Sequence, residues 1–147
     1  MNSYFIYLLI VAVAAGIASY FTRDGLTKSK YLNSKKPSWF PESYVFGIVW
    51  TAIYIMFSYS WYLLSSYPTI NILYIINLFL NVLWCYLFFS LGTWDSALIT
   101  LVSLNIVLLI QVVSTYKISM VGSLLLVPYF LWTCFATFLN YTMIDIN

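Results

Sequence analysis

Long apolar runs, broken by short groups of charged or turn-forming residues, dominate the chain. Residues 1–22 carry no charged side chain, and the run ends at Arg23. A second uncharged stretch covers residues 43–94, which is too long for one crossing of the roughly 30 Å hydrocarbon layer. The sequence Ser-Ser-Tyr-Pro-Thr at 65–69 divides this stretch, because a proline interrupts a helix unless it lies in its first turn.

Two more uncharged runs follow, and each again has about the 20 residues that a helix needs to cross a bilayer. The pattern predicts five transmembrane helices, near residues 4–21, 43–64, 70–90, 96–116 and 119–144. Strands are not expected, because the runs are continuously apolar and do not alternate as in a lipid-facing barrel. We therefore predict an all-α membrane bundle in a single domain, 1–147, with one long loop at 22–42. Short links predict that the second to fifth spans pack as consecutive antiparallel neighbours.

Composition supports this prediction. Charged residues make up 7% of the chain, against about 25% in ordinary globular proteins. Hydrophobic residues make up 63%, and the mean hydropathy is +0.93. These values exclude a water-soluble domain, and they equally exclude a disordered chain, which needs low hydrophobicity and high charge.

Basic residues predict the orientation in the membrane. Arg23, Lys28, Lys30, Lys35 and Lys36 all lie between the first two spans. By the positive-inside rule, the loop and the C-terminus are cytoplasmic, although which membrane is meant stays open. Contact of the basic cluster with anionic headgroups is the lesser alternative. A cleaved signal peptide is the alternative for the first span, but no Lys or Arg precedes its apolar run.

The chain offers little for catalysis. It contains no His and only two Cys, Cys85 and Cys134, and we expect no charged side chain inside any span. General acid–base catalysis needs a positioned titratable group, and zinc or haem sites need His or Cys ligands. We therefore expect no metal, no resident cofactor and no nucleic-acid partner, and binding is favoured over turnover.

Aromatic and amide side chains recur every three or four residues on three of the spans. The positions are Trp50, Tyr54, Phe57 and Trp61 on the second, Asn77, Asn81, Trp84 and Phe88 on the third, and Pro128, Trp132, Ala136 and Asn140 on the fifth. Each set falls on one helix face. Three such faces predict a shared apolar cavity with few polar groups, which suits a flat hydrophobic ligand. The alternative is that these side chains only bond neighbouring helices.

The predicted loop contains one stiff aromatic segment. Pro37 and Pro41 flank Trp39 and bias the residues before them towards extended conformations. Two interpretations stay open: the segment closes the mouth of the bundle as a lid, or it anchors in the headgroups.

Three motifs resemble the TspO/MBR family, which includes translocator proteins and peripheral-type benzodiazepine receptors. The first is Lys-Pro-Ser-Trp-Phe-Pro at 36–41, followed by Phe-Gly-Ile-Val-Trp at 46–50 and Tyr54. The second is Asn-Val-Leu-Trp at 81–84, and the third is Val-Pro-Tyr-Phe-Leu-Trp at 127–132. They occur in family order over nearly the whole chain.

The resemblance implies a five-helix receptor or carrier with a cavity beneath the first loop. Family members bind porphyrins such as protoporphyrin IX, as well as benzodiazepine-type and isoquinoline ligands. Carried over by motif position, the ligand-binding residues are Trp39, Trp50, Tyr54, Asn81, Trp84, Phe88, Trp132 and Ala136. One alternative is an enzyme that degrades porphyrin in light and oxygen through Trp50 and Trp132. A second alternative is a membrane scaffold without a ligand.

Two features bear on further partners. The family's sterol motif needs a basic residue after a tyrosine, and none follows Tyr141, so sterol binding is not expected. Small residues four apart, Ala12 with Gly16 and Ala15 with Ser19, give the first span faces that allow close helix packing, so a homodimer is plausible and its interface stays open.

Overall fold

The computed structural model describes residues 3–147, and within them it contains helices and no strands. The helices are α1 (Ser3–Thr27), α2 (Ser29–Leu32), α3 (Ser43–Leu64), α4 (Pro68–Cys85), a π-helix (Tyr86–Leu91), α5 (Trp94–Tyr116), α6 (Met120–Leu124) and α7 (Val127–Ile146). In this described part of the chain, five spans are long and apolar enough to cross a membrane: α1, α3, α4 with the π-helix, α5, and α6 with α7. The predicted all-α fold with five spanning helices is confirmed.

The first helix is longer than predicted. It runs to Thr27 and not to residue 21, so the connection to α3 is 28–42 and holds the single turn α2. The helix continues through Asp24 because this carboxylate is satisfied within the fold. The Asp24 carboxylate accepts from the Lys28 ammonium one turn on, at 2.7 Å, and from the Ser90 hydroxyl at 2.6 Å. The expectation that no span contains a charged residue is therefore wrong: the first span contains Arg23 and Asp24, and the fourth and fifth spans include Asp95 and Asp145 near their ends.

Two other spans change their geometry along their length. The third begins at Pro68, which fits the first turn of a helix, and widens into the π-helix before Gly92 ends it with a φ of 62°. The fifth span, predicted as one helix over 119–144, is divided into α6 and α7. Pro128 lies in the first turn of α7, where a missing N–H is tolerated; inside a continuous helix it would clash with the preceding turn.

The packing order departs from the order along the chain. α1 packs against α3, α4 and the π-helix, while α5 lies against both α4 and α7. Consecutive spans are close neighbours for α4 with α5 and α5 with α7, but the contact between α3 and α4 is limited. The second and third spans are still neighbours through long side chains, as Tyr54 with Asn81 and Trp61 with Asn71 show, but their backbones make few close contacts and α1 packs against both.

Several side-chain contacts join α3 and α4 near their connecting turn. The Trp61 indole donates to Asn71 Oδ1 at 2.8 Å, and its ring stacks on Tyr74 at 5.3 Å with a 9° interplanar angle. The Tyr74 hydroxyl lies 2.6 Å from the Ser60 hydroxyl. These contacts fix one end of the helix pair, and a cavity lies towards the other end.

Buried amide side chains join α4, α5 and α7. Asn77 Nδ2 donates to Gln111 Oε1 at 2.7 Å, and Asn77 Oδ1 accepts from the Tyr129 hydroxyl at 2.7 Å. All three side chains are buried and come from α4, α5 and α7. For Asn77, the role of bonding neighbouring helices is the one that the structure shows.

Candidate functional site

A cavity of about 290 Å³ lies between α1, α3 and the end of α4 with the π-helix, and we call it the α1–α3 cavity. Its lining is Ala15, Ala18, Ser19, Thr22, Arg23, Ser43, Phe46, Gly47, Trp50, Tyr54, Cys85 and Phe89. Most of this surface is apolar. The cavity extends from the middle of the bundle to the end that carries the first loop.

Small residues on α1 create the space. Ala15, Ala18 and Ser19 are spaced three or four apart and form one face of the helix. Opposite them, Trp50 and Tyr54 of α3 stack on each other, with ring centroids 5.6 Å apart and a 28° interplanar angle. The result is a slot with one shallow wall and one aromatic wall, which is the shape a flat molecule needs.

The aromatic wall is fixed from behind by residues of the third span. The Tyr54 hydroxyl donates to Asn81 Oδ1 at 2.8 Å, while the Asn81 amide nitrogen is buried without a hydrogen-bond partner among the described residues. The Trp84 ring lies 6.3 Å from Trp50, and Phe88 packs 5.3 Å from Trp84. Trp84 and Phe88 are almost fully buried, so they support Trp50 and do not face the cavity.

Trp84 is also locked in place by a hydrogen bond. Its indole donates to Asn140 Oδ1 at 3.1 Å, and Asn140 Nδ2 in turn donates to the Trp94 carbonyl at 2.8 Å. This chain joins α4, α7 and the start of α5, and it holds the wall of the cavity rigid.

Trp132 and Ala136 lie on a different side of α3. Trp132 lines an open groove between α3 and α7 with Pro128 and Phe135, and its indole N–H has no partner among the described residues. Ala136, one turn further on, is 1% exposed inside the bundle. Phe46 connects the two regions, because it lines the α1–α3 cavity and its ring lies 5.8 Å from Trp132.

Trp39 packs against α7. Its ring stacks on Phe138 at 5.2 Å with a 16° interplanar angle and lies 5.9 Å from Phe135. The same loop is held a second time where Lys35 N donates to Asn147 Oδ1 at 2.8 Å and Asn147 Nδ2 donates to the Lys35 carbonyl at 3.0 Å. The loop therefore runs along the end of α7, and the loop and residue 147 lie at the same end of the bundle.

Tyr31 connects the loop to the cavity, and sequence analysis did not single it out. Its buried ring lies 5.5 Å from Phe89, which lines the cavity, and the Lys36 ammonium lies 4.4 Å above it. The same ammonium donates to the Tyr31 carbonyl at 2.9 Å. Burial raises the pKa of Tyr31 to about 12, so its hydroxyl is neutral at physiological pH.

The contribution of α1 to the cavity wall was also not predicted from the sequence. Ala15 and Ser19 were predicted as a helix-contact face, and here they line the cavity. Their small size was the available signal, but it predicts close packing and space equally well. Among residues 3–147, no group of three or more His, Cys, Asp or Glu is placed to hold a metal ion.

Comparisons with known proteins identify the same family over most of the chain. The model of the TspO/MBR family matches residues 6–145. "Tryptophan-rich protein TspO" of Chlorobaculum tepidum is 33% identical over 126 residues, covering 80% of this chain and 78% of the relative. "Translocator protein" of Homo sapiens is 33% identical over 119 residues, covering 76% and 70%. "Protein CrtK" of Rhodobacter capsulatus is 27% identical over 149 residues, covering 97% and 91%. With five spanning helices, an aromatic-walled cavity and a family match over nearly its whole length, the chain belongs to the TspO/MBR family.

Proposed function

We propose that the protein is a membrane receptor or carrier that binds tetrapyrroles such as protoporphyrin IX, and similar flat lipophilic molecules, in the α1–α3 cavity. The observation that carries the proposal is the stacked pair Trp50 and Tyr54 facing a wall of small residues across an apolar slot. Aromatic faces bury large areas and hold flat rings in defined orientations.

Asn81, Trp84 and Phe88 would act by fixing this pair. Asn81 holds the Tyr54 hydroxyl, and the other two pack behind Trp50. Trp39, Trp132 and Ala136 belong to the proposed site through their motif positions, and they lie on the α7 side. At about 290 Å³ the cavity is at the lower end of ligand pockets, which span about 300–1,000 Å³. We therefore expect α1 and α3 to move apart when a macrocycle binds.

Binding is favoured over turnover by the chemistry of the lining. Arg23 is the one charged residue among those lining the cavity, and a guanidinium does not act as a general base at physiological pH. Light-dependent porphyrin degradation through Trp50 and Trp132 is the alternative. Trp50 lines the cavity and Trp132 lines the groove between α3 and α7, so the two indoles face different openings.

Porphyrin titration of matched tryptophan variants tests the proposal. The parent protein should bind protoporphyrin IX in the dark with a free energy of about −8 kcal/mol, equivalent to about micromolar affinity. Trp50→Ala should weaken binding by more than about 1 kcal/mol, the usual cost of removing an anchoring aromatic. Trp132→Ala removes the same side chain from the neighbouring groove and should weaken binding less. Unchanged affinity in a folded Trp50→Ala variant would contradict the proposed site.

Two further proposals concern the orientation in the membrane and the oligomeric state. We expect the 28–42 connection and the C-terminus to be cytoplasmic, and the contact of Lys35 with Asn147 supports placing both on one side. We also propose that two copies of the protein form a homodimer in the bilayer through α1, since Ala12 and Gly16 are exposed on the surface of this helix. The alternative is a monomer.

A further inference from the structure

We propose that the α1–α3 cavity selects ligands that carry a carboxylate, and that Arg23 binds this carboxylate at the mouth of the cavity. The inference rests on the proposed function and refines it: the ligand class becomes a flat apolar body with an acidic group at one edge. Arg23 was predicted to set topology, with headgroup contact as the lesser alternative, but the longer α1 places it on the lining of the cavity beside Thr22.

Arg23 is available for a ligand because its acidic neighbour is already engaged. Asp24 accepts from Lys28 at 2.7 Å and from Ser90 at 2.6 Å, on the side of α1 that meets the π-helix. Within residues 3–147, Lys28 with Asp24 is the one ion pair. The other acids, Glu42, Asp95 and Asp145, are not among the residues that line the cavity.

A second positive feature lies at the same mouth. Ser43 lines the cavity and is the first residue of α3, a helix of 22 residues. Glu42, at the N-cap position, makes no capping hydrogen bond through its side chain to a described residue. The first N–H groups of α3 are therefore not covered by a side chain, and a helix N-terminus attracts anions through these groups and the helix dipole. The Ser43 hydroxyl adds another donor.

The two features have matching chemistry. A guanidinium donates two parallel hydrogen bonds to a carboxylate, and helix N–H groups donate to the same kind of anion. Deeper in the cavity the lining is apolar, with Ala15 opposite Trp50 and Tyr54. A ligand with an apolar ring and a carboxylate would satisfy both ends, whereas a neutral ligand would leave the cationic mouth without a partner.

The test compares an acid with its ester. Protoporphyrin IX and its dimethyl ester share the same macrocycle, but a methyl group on each carboxyl removes its negative charge in the ester. Both are titrated in a non-ionic detergent, where no lipid phosphate competes. The parent protein should bind the acid about tenfold more tightly than the ester, the range expected for hydrogen bonds to a charged group. Arg23→Gln should remove most of this preference and leave the affinity for the ester unchanged.

Lys35→Gln is the matched control, because it removes one positive charge from the same end of the bundle at a residue that does not line the cavity. It should keep the parent's preference for the acid, and Arg23→Lys should restore part of it. The inference is overturned if Arg23→Gln keeps the full preference, or if it weakens acid and ester equally, which indicates a packing role. If the parent binds neither porphyrin, the proposed function itself fails and this inference fails with it.

Discussion

Gly25→Ala should destabilise the protein far more than the same change at Gly16, the other glycine of α1. A Cβ at this position would lie 2.3 Å from both the carbonyl carbon and the carbonyl oxygen of Phe89, and 2.5 Å from the Phe89 Cβ. Ordinary van der Waals contact begins near 3.4 Å. The two segments would therefore have to separate by about 1 Å, and the nearest atoms are backbone atoms that cannot rotate away.

The expected cost follows from this geometry. Overpacking a core by one methyl costs about 1–3 kcal/mol, and a clash with backbone belongs at the upper end. At roughly 2–4 °C per kcal/mol, a loss of 3 kcal/mol lowers the Tm by about 6–12 °C. Phe89 lines the cavity, and the neighbouring Ser90 bonds to Asp24, so the same shift should also weaken porphyrin binding.

Gly16→Ala is the control, since it makes the same chemical change on the same helix. No described atom lies within 4 Å of a Cβ added there, and Ala favours a helix over Gly by about 1 kcal/mol. Thermal unfolding in detergent should show Gly16→Ala at or slightly above the parent Tm. If Gly25→Ala and Gly16→Ala unfold at the same temperature, the close contact between α1 and the π-helix does not contribute as argued.

Three further predictions follow from single residues. Asn77→Leu leaves the buried Tyr129 hydroxyl without its acceptor, and thermal unfolding should show a loss of about 1–2 kcal/mol. Trp39→Ala should raise the porphyrin off-rate several-fold in stopped flow with little change in the on-rate, because affinity differences within one site appear mainly in the off-rate; identical release would favour the headgroup-anchor interpretation. Bound porphyrin should keep its absorbance in the dark, and if light bleaches it, Trp50→Phe should slow the bleaching more than Trp132→Phe, because Trp50 faces the cavity.

The spans could be predicted wherever charge and proline mark their ends. The second span was predicted at 43–64 and is Ser43–Leu64, since Glu42 precedes the apolar run and a turn sequence follows it. The end of α1 was missed because the run was ended at Arg23, the first charged residue, although Asp24 and Lys28 one turn apart stabilise a helix. The π-helix has no comparable signal, since its apolar residues fit an ordinary helix equally well.

The sequence predicts which residues share one face of a helix, but not the direction in which that face points inside the bundle. Spacing grouped Trp50 with Tyr54, and both side chains line the α1–α3 cavity. It could not reveal how α3 and α7 are turned relative to each other, and so it placed Trp132 and Trp50 around one space. The α1 wall was missed because its alanines carry no chemical signal, and only the packing of α1 against α3 and α4 makes them part of a cavity.

Protection of a thiol at the cavity mouth by bound porphyrin tests the central claim most directly. In a background carrying Cys85→Ser and Cys134→Ser, Ser43→Cys places a thiol on the lining, and Ser38→Cys places one on the exposed loop away from it. Maleimide labelling is followed in the dark with and without saturating protoporphyrin IX. We predict that porphyrin slows labelling of the Ser43→Cys protein several-fold and leaves the Ser38→Cys protein unchanged. Unchanged labelling of both, in samples whose titration shows bound porphyrin, would place the ligand elsewhere and contradict the account.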